Sequence, residues 1–124
     1  MPIVDIEVVA GECGASMPDK RRLQQLTDDL GDVFHSEPAN TWVRLRSLDE
    51  TAYAENRSAG PAAVLPVFVN VLKAQLPNAS TMRREMAEIA EAVARSLERP
   101  VENVHVVYAP GASGRIGFGG VLTE

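Results

Sequence analysis

The sequence predicts an α/β protein of β-α-β-β-α-β order, folded as a four-stranded sheet with two helices on one face. Three observations predict it. Four short segments carry strand patterning, two longer ones carry apolar residues at helical spacing, and the order strand, helix, strand occurs twice. A βαβ unit has a right-handed crossover, so each half supplies two parallel strands with its helix over one face.

From Ile3 to Val9 the residues alternate, with Val4, Ile6 and Val8 on one side and Asp5 and Glu7 on the other, which is the period of a half-buried strand. Ser16-Met17-Pro18-Asp19 reads as a helix start, with Ser16 as N-cap and Pro18 inside the first turn. Leu23, Leu26, Leu30, Val33 and Phe34 follow on one stripe, carrying this helix to about His35. Glu37-Pro38-Ala39-Asn40 breaks it. Trp42 to Arg46 then alternates again, with Val43 and Leu45 on one face and Trp42, Arg44 and Arg46 on the other.

Residues 49–61 are polar and small and read as a loop joining the halves of one domain. Leu65 to Leu72 is apolar on both faces except at Asn70, as in a strand inside a sheet, and Pro66 lies near its start, where a missing N–H is tolerated. After Pro77-Asn78 the spacing of Met82, Met86, Ile89, Ala90, Val93 and Leu97 predicts a second amphipathic helix, stopped before Pro100. Val104 to Tyr108 gives the fourth strand, and the glycine-rich stretch from Gly111 to Gly120 reads as a hairpin or an inter-subunit rim. The expected organisation is a single domain, 1–124, with pseudo-repeats at about 1–60 and 61–124. Ile3-Val4-Asp5-Ile6 aligns with Phe68-Val69-Asn70-Val71, an offset of 65 from 3 to 68, and Trp42-Val43-Arg44-Leu45 with Val104-His105-Val106-Val107, an offset of 62 from 42 to 104. The sheet face away from the helices carries Trp42 together with apolar third-strand positions, and such a face implies association with other chains.

Composition narrows the function classes. The 124 residues are 45% hydrophobic, enough for one core, and 12 basic against 17 acidic residues give a net charge of −5 with no basic stripe. Nucleic acid is not an expected partner. The longest apolar runs, such as Ala62 to Val69, fall far short of the roughly 20 residues that span a bilayer. An acid at position 5 does not fit a secretory signal, so the expected setting is cytoplasmic and away from membranes. One cysteine, Cys13, and two distant histidines, His35 and His105, make neither a disulfide nor a zinc site. Cys13 reads as a bystander thiol, the histidines as structural, and Tyr108 as a core residue with a satisfied hydroxyl.

Three groups carry chemistry. Pro2 becomes a free secondary amine if Met1 is removed, and such an amine is a general base when neutral. Cations and burial nearby push its proton affinity down. The bland alternative is a proline starting an edge strand. Arg44 and Arg46 lie two apart on one strand face, where guanidinium forks suit a carboxylate and a growing enolate charge, or else ion pairs with Asp5 and Glu7. Pro66, an internal amide, has no basic lone pair, so the second half holds no equivalent base.

With Met1-Pro2-Ile3-Val4, the doubled βαβ pattern, Val43-Arg44-Leu45 and Arg115-Ile116-Gly117-Phe118-Gly119-Gly120 in place, the chain resembles the tautomerase superfamily, in the form of two fused units similar to 4-oxalocrotonate tautomerase. The resemblance covers nearly the whole chain. It implies a keto-enol tautomerase, an isomerase that works on a small carboxylate substrate without metal or organic cofactor. Pro2 is then the catalytic base and Arg44 the arginine that polarises the substrate, with Arg46 and Ile116 as substrate-binding residues. Single-unit relatives form hexamers, so a fused chain is expected as a homotrimer with one proline site per chain. Two departures stand out. An arginine expected after the first strand is replaced by Ala10-Gly11-Glu12-Cys13, with only Lys73 near the equivalent place in the second half. A phenylalanine of the site is replaced by Ile116, with Phe118 two residues on. The alternatives are a proline-based decarboxylase or hydratase of a small oxo or unsaturated acid, and a non-enzymatic ferredoxin-like ligand-binding module.

Overall fold

A computed structural model describes residues 1–11, 17–58 and 65–124. Its main sheet is built from β1 (Ile3–Ala10), β2 (Trp42–Asp49), β3 (Val67–Leu72) and β4 (Val104–Tyr108), in the order β2-β1-β3-β4. The outer pairs are parallel and the central pair, β1 with β3, is antiparallel. Helices α1 (Lys20–Val33) and α2 (Ala79–Leu97) both contribute to one core beneath the same face. The expected mixed α/β fold with its element order is therefore present.

The core follows from the strand alternation. Val4, Ile6 and Val8 of β1 and Val67, Val69 and Val71 of β3 meet Leu26 and Leu30 of α1 and Ile89, Val93 and Leu97 of α2, all within 1% of complete burial. Each such side chain contributes about 1.5 to 3 kcal/mol of transfer free energy. Leu65 and Pro66 precede β3, and the Pro66 carbonyl accepts a hydrogen bond from Val9 N–H at 3.1 Å. At the same end of the sheet Arg99 donates to the carbonyls of Val9 and Leu65. No described helix is long and apolar enough to cross a membrane.

Two local expectations are corrected. Helix α1 starts later than Ser16: its N-cap is Asp19, whose side chain accepts from Arg22 N–H at 2.8 Å, and Pro18 stands before the cap. The physical reason is the proline itself, because its ring disfavours helical backbone at the preceding Met17. Ser16 and Cys13 lie outside the described residues, as does the Gly60-Pro61 end of the predicted loop. Helix α2 starts as expected, with Asn78 accepting from Thr81 N–H. The second correction concerns register. β1 runs 39 residues ahead of β2 (Ile3 opposite Trp42) and β3 runs 37 ahead of β4 (Val67 opposite Val104), so the two offsets differ by two. Placing Ile3 on Phe68 puts Trp42 on His105, not on Val104. A shift of one would turn the strand over, which its buried face forbids.

Beyond β4 the chain runs beside the segment after β3, with Ala112 N–H donating to Lys73 O and Ser113 N–H to Ala74 O. Gly111 suits this close approach, since a Cβ would sit 3.1 Å from Ala74 O and the two segments would have to part by a few tenths of an ångström. The glycine-rich stretch closes in a hairpin, β5 (Ile116–Phe118) with β6 (Val121–Thr123), turned by Gly119 and Gly120 at φ 60° and 82°. Phe118 meets the Trp42 ring edge-on at 5.5 Å, which brings the hairpin to the start of β2.

Candidate active site

Pro2 ends β1 at the edge of the core. It is buried while Met1 is 41% exposed, and its carbonyl accepts from Trp42 N–H at 3.0 Å. By alternation Pro2 belongs with Val4 and Ile6 on the helix side of the sheet. One step beyond the last paired positions, Ile3 with Trp42 and Ile3 with Leu72, the register sets residue 2 opposite Thr41 and Lys73. Thr41 is buried and its hydroxyl donates to Ser36 Oγ at 2.6 Å.

Lys73 turns to the helix layer. Its Nζ lies 3.5 Å from Glu85 Oε2 and 5.1 Å from the centre of the Phe34 ring. Glu85 is 3% exposed, and its other oxygen, Oε1, accepts from the Tyr108 hydroxyl at 2.6 Å. Burial, reinforced by that hydrogen bond, pushes the Tyr108 phenol well above its usual range, so it stays a donor. Lys73 and Tyr108 stand out in the sequence only separately, and Glu85 not at all. The signal that could have found it was a carboxylate on the apolar stripe of α2, three residues after Met82 and four before Ile89.

The arginines occupy the other face. Arg44 donates from Nε and Nη2 to the two oxygens of Asp5 at 2.6 and 2.8 Å, and Arg46 Nε to Glu7 at 3.4 Å. The hydrogen bond from Arg44 holds the Asp5 carboxyl below its usual range despite partial burial. Both ion pairs that stood as the alternative to substrate binding are thus formed within the chain. Within one chain Pro2 and Arg44 point to opposite sides of the sheet and are not brought together. Arg46, Phe68, Asn70, His105 and Val107 line a depression of about 240 Å³ on the open face. Ile116 is half-buried in the hairpin opposite Thr123, and the ring that reaches the start of β2 belongs to Phe118.

No protein-family model and no curated protein matches this sequence. Solved structures do match along nearly the whole chain. A fused 4-OT solved as a symmetric trimer superposes with a TM-score of 0.74 at 15% identity, over 98% of this chain and 94% of that one. MIF2 of Leishmania major gives 0.67 at 20% identity, over 98% and 96%, and the macrophage migration inhibitory factor of Oncomelania hupensis 0.75 at 16%, over 100% and 83%. The chain has the fold of these fused 4-OT and macrophage migration inhibitory factor structures. In this fold β1 and β3 take the centre of the sheet, which puts the Pro2 end of β1 and the Lys73 end of β3 side by side.

Proposed function

We propose that the chain is a tautomerase that uses Pro2, freed by removal of Met1, as general base on a 2-hydroxydienoate or related enol acid. The observation that carries this reading is the burial of Pro2 at the end of a central strand in a tautomerase fold. The neutral amine takes the proton of the C2 hydroxyl. The electron pair moves through the conjugated system, and the ammonium returns its proton to a distal carbon to give the 2-oxo acid. Arg44 serves a Pro2 of a neighbouring copy in a homotrimer, since its own Pro2 lies on the other side of the sheet. Its Nη1 stays outside the Asp5 pair and is the donor available to the substrate carboxylate and the developing dienolate. Arg46 and Ile116 complete the substrate contacts in this reading.

The test compares native protein lacking Met1 with protein that retains it, on 2-hydroxydienoate and phenylenolpyruvate. Loss of Met1 should be complete by intact mass, and retention should abolish turnover because Pro2 is then an amide. Arg44→Ala should lower kcat/KM by about 10²- to 10³-fold. A processed, folded protein with no rate above that of solvent on either substrate would overturn the proposal.

A further inference from the structure

The face that Pro2 shares with the helices carries its own charge cluster, distinct from the arginines. We propose that Lys73, held in place by the buried carboxylate of Glu85, is the charged group that sets the proton affinity of the Pro2 amine, with Tyr108 completing the clamp. Register and face support it: residue 73 stands opposite residue 2 across the central strand pair, and both turn to the helix side. A lysine stem has many rotamers, and here they are restrained by two partners, the Glu85 carboxylate and the Phe34 ring. Glu85 divides its two oxygens between Tyr108 and Lys73, and the Phe34 ring closes over the ammonium. A carboxylate 3% exposed in an apolar layer is costly unless paired, so its partners are held to it in turn.

Every element packed at this end contributes to the electrostatics. The segment after β3 brings Lys73, β4 brings Tyr108, and α2 brings Glu85 with Arg84, which lies 3.9 Å from Glu85 but pairs with Glu88 at 2.5 Å. The end of α1 brings the Phe34 ring and, beyond it, exposed His35, while β2 brings neutral Thr41. Asp5 and Arg44 lie across the sheet. Lys73 is thus the cation that shares a face with Pro2, and Glu85 is the positioning residue that also offsets part of its charge.

A cation disfavours the ammonium form, so Lys73→Met should raise the pKa of Pro2, and Glu85→Gln, which frees the Lys73 stem but also removes a carboxylate, should move it less. The measurement is an NMR titration of the Pro2 ring carbons in protein lacking Met1. Lys73→Met should move the midpoint up by about half a pH unit or more, a roughly threefold change in the neutral fraction, and Lys73→Arg should stay near the parent. Lys73 is partly exposed, so its variants test the idea even where Glu85→Gln does not fold. A Lys73→Met midpoint unchanged from the parent, or a Glu85→Gln shift larger than that of Lys73→Met, would overturn the inference. It rests on Pro2 being a free amine of functional consequence, yet the titration reads the amine itself. Shifted midpoints without turnover would refute the tautomerase reading alone, and turnover with unmoved midpoints would refute only this inference.

Discussion

Asp5 and Arg44 form a two-point ion pair between β1 and β2. Their two parallel hydrogen bonds lie on the open face, with the Arg44 side chain 70% exposed and Asp5 25%. The hydrogen bond from Arg44 depresses the Asp5 pKa, so Asp5 contributes stability that is present above the unfolded value of about 3.9 and is lost as pH falls through the lower folded value. Asp5→Asn removes that contribution. Urea denaturation should therefore show the variant less stable than the parent near about pH 6, with the gap shrinking toward about pH 3. A gap that does not change with pH would mean that the pair carries no linkage. Alternation already sets Pro2 with Val4 and Ile6 and the arginines on the opposite face, and it left open whether those arginines pair with Asp5 and Glu7. What alternation could not supply is the register that brings Asp5 opposite Arg44 and Glu7 opposite Arg46.

At the level of elements, α2 ends on a residue with a cost. Glu98 takes left-handed backbone at φ 55° so that its own N–H and that of Arg99 can reach carbonyls of the last turn. The side chain gains little in return, because its contact with Arg22 is 3.9 Å and exposed. Glu98→Gly removes the Cβ clash of that conformation and should stabilise the fold by about 0.5 to 1 kcal/mol, after the extra chain entropy of glycine is counted. Denaturant midpoints with an unchanged slope would show it, and a lower midpoint would refute the argument. Helix starts show the limits of local reading. The start of α2 after Pro77-Asn78 was legible because the apolar stripe begins there, whereas the cap of α1 read as Ser16 is in fact Asp19. Pro18 decided the later start through its effect on Met17.

For the whole molecule, the uncovered sheet face sets the expected assembly. Trp42, Phe68 and Val107 stand 41%, 38% and 56% exposed on that face, around the charge pairs. We propose that three copies bury it, and sedimentation equilibrium at micromolar concentration should give the mass of three chains. Val107→Glu places an unpaired charge on β4 in that interface and should release monomers, whereas a monomeric parent would refute the face assignment. The sequence by itself determined the order of the elements, the buried face of each central strand, the start of α2 and the proline at position 2. These rest on periods of two and three to four residues and on single-residue stereochemistry, all of which are local. Only the tertiary structure decided that β3 takes the side of β1 not held by β2. That pairing sets Lys73 opposite Pro2 and lets Glu85 of α2 meet Tyr108 of β4, while it leaves Arg44 across the sheet. The physical reason is that antiparallel pairing of β1 with β3 joins positions some seventy residues apart, and no local period records a register of that span.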